Sequence, residues 1–214
     1  MMAGAAIYSY QGTVSNNIIQ SNTATFTGGV YINEGSATGN HILGNTATNG
    51  GGLYGNLANL LGNTIEGNSA TLGGGILSTD STVRGNIVTG NNASADGGGI
   101  YAEGGTVTSN TITENTVPSY GHGSGAYILG VTSFTYNHVV DNTGGAGTFS
   151  VSRADLSPAI DGLAEQDVQA GRRPYECGGI AVALPVGGAS LGRFRLARAD
   201  NGLAFAAGAL AAVD

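Results

Sequence analysis

The stretch from Asn40 to Tyr54, NHILGNTATNGGGLY, contains the unit that repeats through most of the chain. Its pattern is Asn-x-Ile/Val-x-x-Asn, a short gap, two or three glycines, an aliphatic residue and usually Tyr. The leading asparagines are Asn17, Asn40, Asn63, Asn86, Asn110 and Asn137, and a second one stands five places on, at Asn22, Asn45, Asn68, Asn91, Asn115 and Asn142. Successive leaders are 23, 23, 23, 24 and 27 residues apart. A repeat of this length with no helical periodicity inside it marks a solenoid, in which each unit buries its apolar face against its neighbours.

Three apolar columns fall at fixed offsets within the unit. Val14, Ala37, Leu60, Val83, Val107 and Phe134 precede the leading Asn by three; Ile19, Ile42, Ile65, Val88, Ile112 and Val139 follow it by two; Ile7, Val30, Leu53, Ile76, Ile100 and Ala126 come just after the glycines. Each is flanked by small or polar residues, as short strands with alternating side chains require. A fourth column, Ala24, Ala47, Ala70 and Ala93, suits a corner close to the core. The fold predicted is all-β, a right-handed parallel β-helix of about six coils with three strands per coil, the hand following from the preference of parallel crossovers. With coils stacked ~4.8 Å apart, the rod is on the order of 30 Å long. The asparagines are expected to occupy left-handed corners and to hydrogen-bond their counterparts one coil away.

Composition narrows the partners. The chain of 214 residues has no lysine; all seven cations are Arg, and six of them lie beyond residue 150, so the coils carry Arg84 against seven acids. That surface disfavours nucleic acid and anionic membranes. A single cysteine, Cys177, permits no internal disulfide. The apolar stretch 202–213 is about half of what a bilayer span needs.

Three surface features are candidates for function. An outward row after the inward aliphatics, Tyr8, Tyr31, Tyr54, Leu77, Tyr101 and Tyr127, offers rings for stacking against sugars or a ladder of like side chains. The ligand-binding set drawn from it is Tyr31, Tyr54, Tyr101 and Tyr127, with Tyr120 on a nearby corner. Outward hydroxyls in Thr23-Ala-Thr25, Thr46-Ala-Thr48 and Ser69-Ala-Thr71 resemble the Thr-x-Thr arrays of β-helical ice-binding proteins. The third feature is the lengthened corner of coil five, Asn115 to Gly125. Aligning the glycines sets His122 beside Asp96, and Glu114 and Asp141 share a column. These four are the candidate catalytic residues for general acid–base or glycosidic chemistry. Gly121-His-Gly-Ser-Gly125 is similar to the Gly-His-Gly element of polygalacturonases, but that family's paired aspartates, Asn-Thr-Asp and Arg-x-Lys elements are absent. The reading assigns no metal and no cofactor.

Beyond the coils stand Leu156-Ser-Pro-Ala-Ile-Asp161 and Asp167-Val-Gln-Ala-Gly-Arg-Arg-Pro-Tyr-Glu-Cys-Gly-Gly-Ile180. With the repeat, they resemble the bacterial choice-of-anchor Q domain family over about residues 4 to 182. That resemblance implies an exported or surface-attached β-helix and no defined reaction. The organisation expected is coils over 1–150, a capping segment over 151–186 and an Ala/Gly-rich tail over 187–214. The chain opens part-way through a coil, so the expectation is that a secretion signal lies upstream of Met1. The function expected is structural or adhesive, at the cell surface or secreted, with polysaccharide or another envelope component as partner. A polysaccharide lyase or hydrolase is the alternative, and ice binding the third.

Overall fold

The computed structural model describes residues 4–131 and 133–145, with the strand segments 149–152, 197–199 and 202–204. Among the described residues every regular element is a strand, and all coil strands pair in parallel with their counterparts one repeat away. Three walls result. The first contains Ile7–Tyr10, Val30–Asn33, Leu53–Asn56, Ile76–Thr79, Ile100–Glu103, Ala126–Leu129 and Phe149–Ser152. The second begins with Thr13–Ser15 and ends with Ser133–Thr135, and the third runs from Ile18–Gln20 to His138–Val140. The described coils form a parallel β-helix.

The register is the one the repeat predicts: Val30 pairs with Leu53, Ala37 with Leu60 and Ile42 with Ile65. All three apolar columns point inward, and from Val30 to Val139 they are fully excluded from solvent. A second inward column in the first wall, Ile32, Ser78, Ala102 and Ile128, completes the interior. Alternation alone produces this, because strands of three or four residues have room for one or two inward side chains.

The alanine column is more than a corner. Ser69–Leu72 pairs with Asn92–Asp96 as a short fourth wall, and single bridges join Thr23 to Thr46, Thr46 to Ser69, and Asn92 to Thr116. A register shift between Ala70 and Leu72 marks its irregularity.

The corner chemistry differs from expectation. The left-handed residues are not the repeat asparagines but those immediately before them: Asn16, Gly39, Gly62, Gly85, Ser109 and Tyr136 before the leaders, and Ser21, Gly44, Gly67, Gly90, Glu114 and Asp141 before the second set. The asparagines instead turn inward. Asn63 donates from Nδ2 to Oδ1 of Asn86 at 3.0 Å and to the Ala37 carbonyl at 2.9 Å, while its Oδ1 accepts from the Asn40 backbone N–H and Nδ2. Each internal amide thus uses both donors and both acceptor sites, which is what allows so polar a group to be buried. The same bonds recur from Asn22 through Asn142. The inter-coil pairing expected of the amides is present, and their inward orientation leaves the left-handed backbone to the preceding residue.

The capping segment expected at 151–186 lies outside the described residues apart from the end of strand Phe149–Ser152. In the tail, Ala197–Ala199 and Gly202–Ala204 form an antiparallel pair.

Candidate functional site

Two outward rows face each other across the glycine corner. Gly50, Gly73, Gly97 and Gly123 are left-handed there, and the turn is tight: a Cβ on Gly97 would lie 2.7 Å from the Cβ of Tyr101. No residue with a side chain fits without displacing the strand that follows. The position before each of these glycines is thereby brought against the tyrosine row. Those positions are Asn49, Leu72, Asp96 and His122, in register through the bridges Asn49–Leu72, Leu72–Asp96 and Asp96–His122. Phe26 extends the row at the amino-terminal end, where Asn49 N–H donates to its carbonyl.

The amino-terminal part of this strip is aromatic. Tyr31 and Tyr54 stack with centroids 4.7 Å apart and planes 6° from parallel, Tyr8 tilts against Tyr31 at 5.2 Å, and Phe26 lies 5.7 Å from Tyr54. Burial and the charges of its neighbours push the Tyr31 phenol above its ordinary range. Leu77 then breaks the row. It pairs with Tyr54 on one side and Tyr101 on the other and is only 8% exposed. Two coil steps of ~4.8 Å separate the Tyr54 and Tyr101 backbones, and no aromatic pair spans the break among the described residues. The stack resumes with Tyr101 and Tyr127, whose centroids are 5.1 Å apart.

The carboxy-terminal part is ionisable. His122 Nδ1 lies 2.7 Å from Asp96 Oδ1, and the same oxygen accepts the His122 backbone N–H at 2.9 Å. The pair is partly open to solvent, and the imidazole sits 6.0 Å from the Tyr127 ring. Tyr101 donates its hydroxyl to Glu103 Oε1 at 3.0 Å. Its phenol is pushed far above the ordinary value, first by burial, then by the bond to Glu103, then by the negative charges of Glu103, Tyr127 and Asp96. The structure therefore gathers Asp96, His122, Tyr101, Tyr127 and Glu103 at one end of the strip. Chemically, an imidazole held through Nδ1 by a carboxylate presents Nε2 as a proton acceptor.

Of the expected catalytic residues, the structure joins Asp96 to His122. Glu114 and Asp141 stand on successive coils at the left-handed corner that leaves the third wall, at the other end of the segment from Asn115 to His122. In the unlengthened coil the same two columns, at Gly90 and Asp96, are six residues apart, a reach of roughly 20 Å if extended. Tyr120, 74% exposed, tops the turn closed by the Gly121 N–H donating to the Pro118 carbonyl, and it makes no ring contact with the tyrosine row among the described residues. Thr23, Thr25, Thr46 and Thr48 are exposed as expected, on the irregular fourth wall. Glu103, Leu72 and Phe26 had no part in the sequence-based site. The signal available was positional: the residue before the corner glycine, and the one two places after Tyr.

Among the described residues no group of three His, Cys, Asp or Glu side chains is placed to hold a metal ion, and no helix is long and apolar enough to cross a membrane. Fold and site together define a parallel β-helix with a tyrosine-lined strip ending in an Asp–His pair. No family model, curated protein or solved structure matches the chain.

Proposed function

We propose that this chain is a rigid surface element of an exported bacterial protein, of the kind the choice-of-anchor Q resemblance implies, and that it adheres to polysaccharide through the strip beside the first wall. The observation that carries this reading is the broken tyrosine stack. Within Tyr31–Tyr54 the rings cover each other, so the ladder interior offers only edges and hydroxyls. At Leu77, itself nearly buried, the tyrosine row is interrupted, and the Tyr54 and Tyr101 backbones stand two coil steps of ~4.8 Å apart. Each of these two rings stacks on a tyrosine on one side only, so a sugar ring can stack on either. The Glu103 carboxylate and the tyrosine hydroxyls supply hydrogen bonds beside them. The test is retention of the protein on immobilised plant, algal and bacterial glycans, compared with Tyr54→Ala and Tyr101→Ala; adhesion that survives both replacements rejects the strip as the binding surface.

The Asp96–His122 contact favours a second reading, a polysaccharide-cleaving enzyme with His122 as general base. Release of reducing or unsaturated ends that disappears in His122→Ala selects it over adhesion alone.

A further inference from the structure

We infer that the ligand of the strip carries positive charge, as an amine-bearing glycan such as a glucosamine polymer does. This rests on the adhesive reading above and specifies the class of sugar. Four observations lead to it. First, the carboxy-terminal end of the strip combines two carboxylates with two aromatic rings. Asp96 spends Oδ1 on both His122 bonds, and Glu103 spends Oε1 on Tyr101, so Oδ2 and Oε2 lie outside those bonds. Second, the Tyr101 and Tyr127 rings stack at 5.1 Å beside these groups, and an ammonium on an outer ring face next to a carboxylate gains both cation–π and ion-pair attraction. Third, the local potential is negative at the ring itself, since Glu103 and Asp96 both oppose ionisation of the Tyr101 phenol. Fourth, no Lys or Arg competes at the strip, and His122, the one other group there able to carry positive charge, is held on a single oxygen of Asp96. Arg84 is the one Arg of residues 4–145, and it lies on the second wall. The strip therefore repels uronic acid and phosphate polymers and retains amines.

The arrangement suits a sugar better than a bare cation, because the carboxylates flank a row of aromatic rings and do not form a cage. A sugar ring stacked at Tyr101 brings a substituent toward Glu103, two residues beyond Tyr101 on the same strand. An N-acetyl group there is neutral and bulkier, and it forfeits the ion pair.

The experiment uses the full chain and titration calorimetry at neutral pH and low salt. The probe is an N,N,N-trimethylated glucosamine oligomer, whose charge does not depend on pH, against the N-acetylated and the plain glucose oligomers of equal length. The expected result is binding of the trimethylated oligomer at least tenfold tighter than either neutral one, weakened about tenfold by Glu103→Gln and lost in Tyr101→Ala. Glu66→Gln, on the third wall, is expected to leave it unchanged, which separates the strip from the general attraction of an acidic rod. Asp96→Asn is expected to act as Glu103→Gln does, and the latter leaves the Asp96–His122 corner intact. Equal affinity for charged and neutral oligomers overturns the inference while leaving the adhesive reading in place. Equal losses in Glu103→Gln and Glu66→Gln also overturn it. Binding of none of the three oligomers overturns the inference, and retention on the glycan panel then decides the adhesive reading separately.

Discussion

His122 and Asp96 are tied by two hydrogen bonds to a single oxygen: the backbone N–H at 2.9 Å and ring Nδ1 at 2.7 Å both reach Oδ1 of Asp96. The lengthened corner of coil five is therefore anchored to the preceding coil by a side chain as well as by the ladder. Removing the carboxylate with Asp96→Ala takes away both bonds and is expected to cost about 1–3 kcal/mol, nearer the low end because the pair is partly solvated. His122→Ala keeps the backbone bond and is expected to cost less. Urea unfolding of the two variants checks the order, and faster exchange of the His122 amide in Asp96→Ala alone checks the cause.

The asparagine ladder makes a sharper demand. Asn63→Ala removes four hydrogen bonds and leaves the Asn40 backbone N–H and one Asn40 Nδ2 proton without their acceptor in a buried interior, while Asn86 Oδ1 keeps the backbone N–H of residue 63. At about 1–3 kcal/mol for each donor left without a partner, a loss on the order of 2–6 kcal/mol is expected. Asn17→Ala, at the exposed end of the same ladder, is expected to cost under about 1 kcal/mol. Equal effects at the two positions would show that the amides do not act as a ladder. Asn63→Asp adds a pH signature. Burial raises the folded-state carboxyl above its unfolded value, so the folded form holds the proton longer, and the variant should lose stability as pH rises through the carboxylate range.

Two glycines separate backbone strain from crowding. Gly67 and Gly97 have nearly the same left-handed φ, 61° and 66°, but a Cβ at Gly67 meets nothing within 4 Å whereas one at Gly97 falls 2.6 Å from the Ile100 carbonyl oxygen. Gly67→Ala is expected to cost about 1–2 kcal/mol, the penalty of the left-handed region alone. Gly97→Ala should exceed it by roughly 1–3 kcal/mol of overpacking and disturb the tyrosine strip. Chemical denaturation of the pair gives the difference directly.

Leu77→Tyr tests the interruption of the tyrosine row. A tyrosine at this outward position continues a row already present at Tyr54 and Tyr101, so stability should change by less than about 1 kcal/mol. Glycan retention should fall, because the added ring covers the Tyr54 and Tyr101 faces on which a sugar would stack. Unchanged retention would place adhesion elsewhere.

Tyr101 should be the late-titrating tyrosine. Its burial, its bond to Glu103 and the neighbouring negative charges hold the phenol protonated well beyond the ordinary range. The folded-state value is raised, so the folded protein keeps a proton that the unfolded chain releases near pH ~10. The stabilisation is present below that pH and is lost as pH rises further. Ultraviolet titration of the phenolate band should show a late step that moves to lower pH in Glu103→Gln.

The fold was legible because a solenoid writes its tertiary structure as a period. Once Asn40, Asn63 and Asn86 are aligned, the partners of Ile42 and Leu60 follow, since every strand pairs with its own image one repeat away. The Asp96–His122 pair followed from the same alignment, with the glycines as anchor. The sequence could not determine which way the asparagines turn. Asn and Gly both tolerate the left-handed region, and only the backbone decides that the residue before each Asn takes it, leaving the amide free to point inward. Nor could it reveal the strip across the glycine corner. Tyr101 and Glu103 lie two residues apart on one strand face, but Asp96 belongs to another column, and what brings it to them is a turn tight enough to exclude a Cβ. Spacing along the chain fixes which coil a residue stacks on, while the curvature of the corner between walls fixes which side chains of different columns meet.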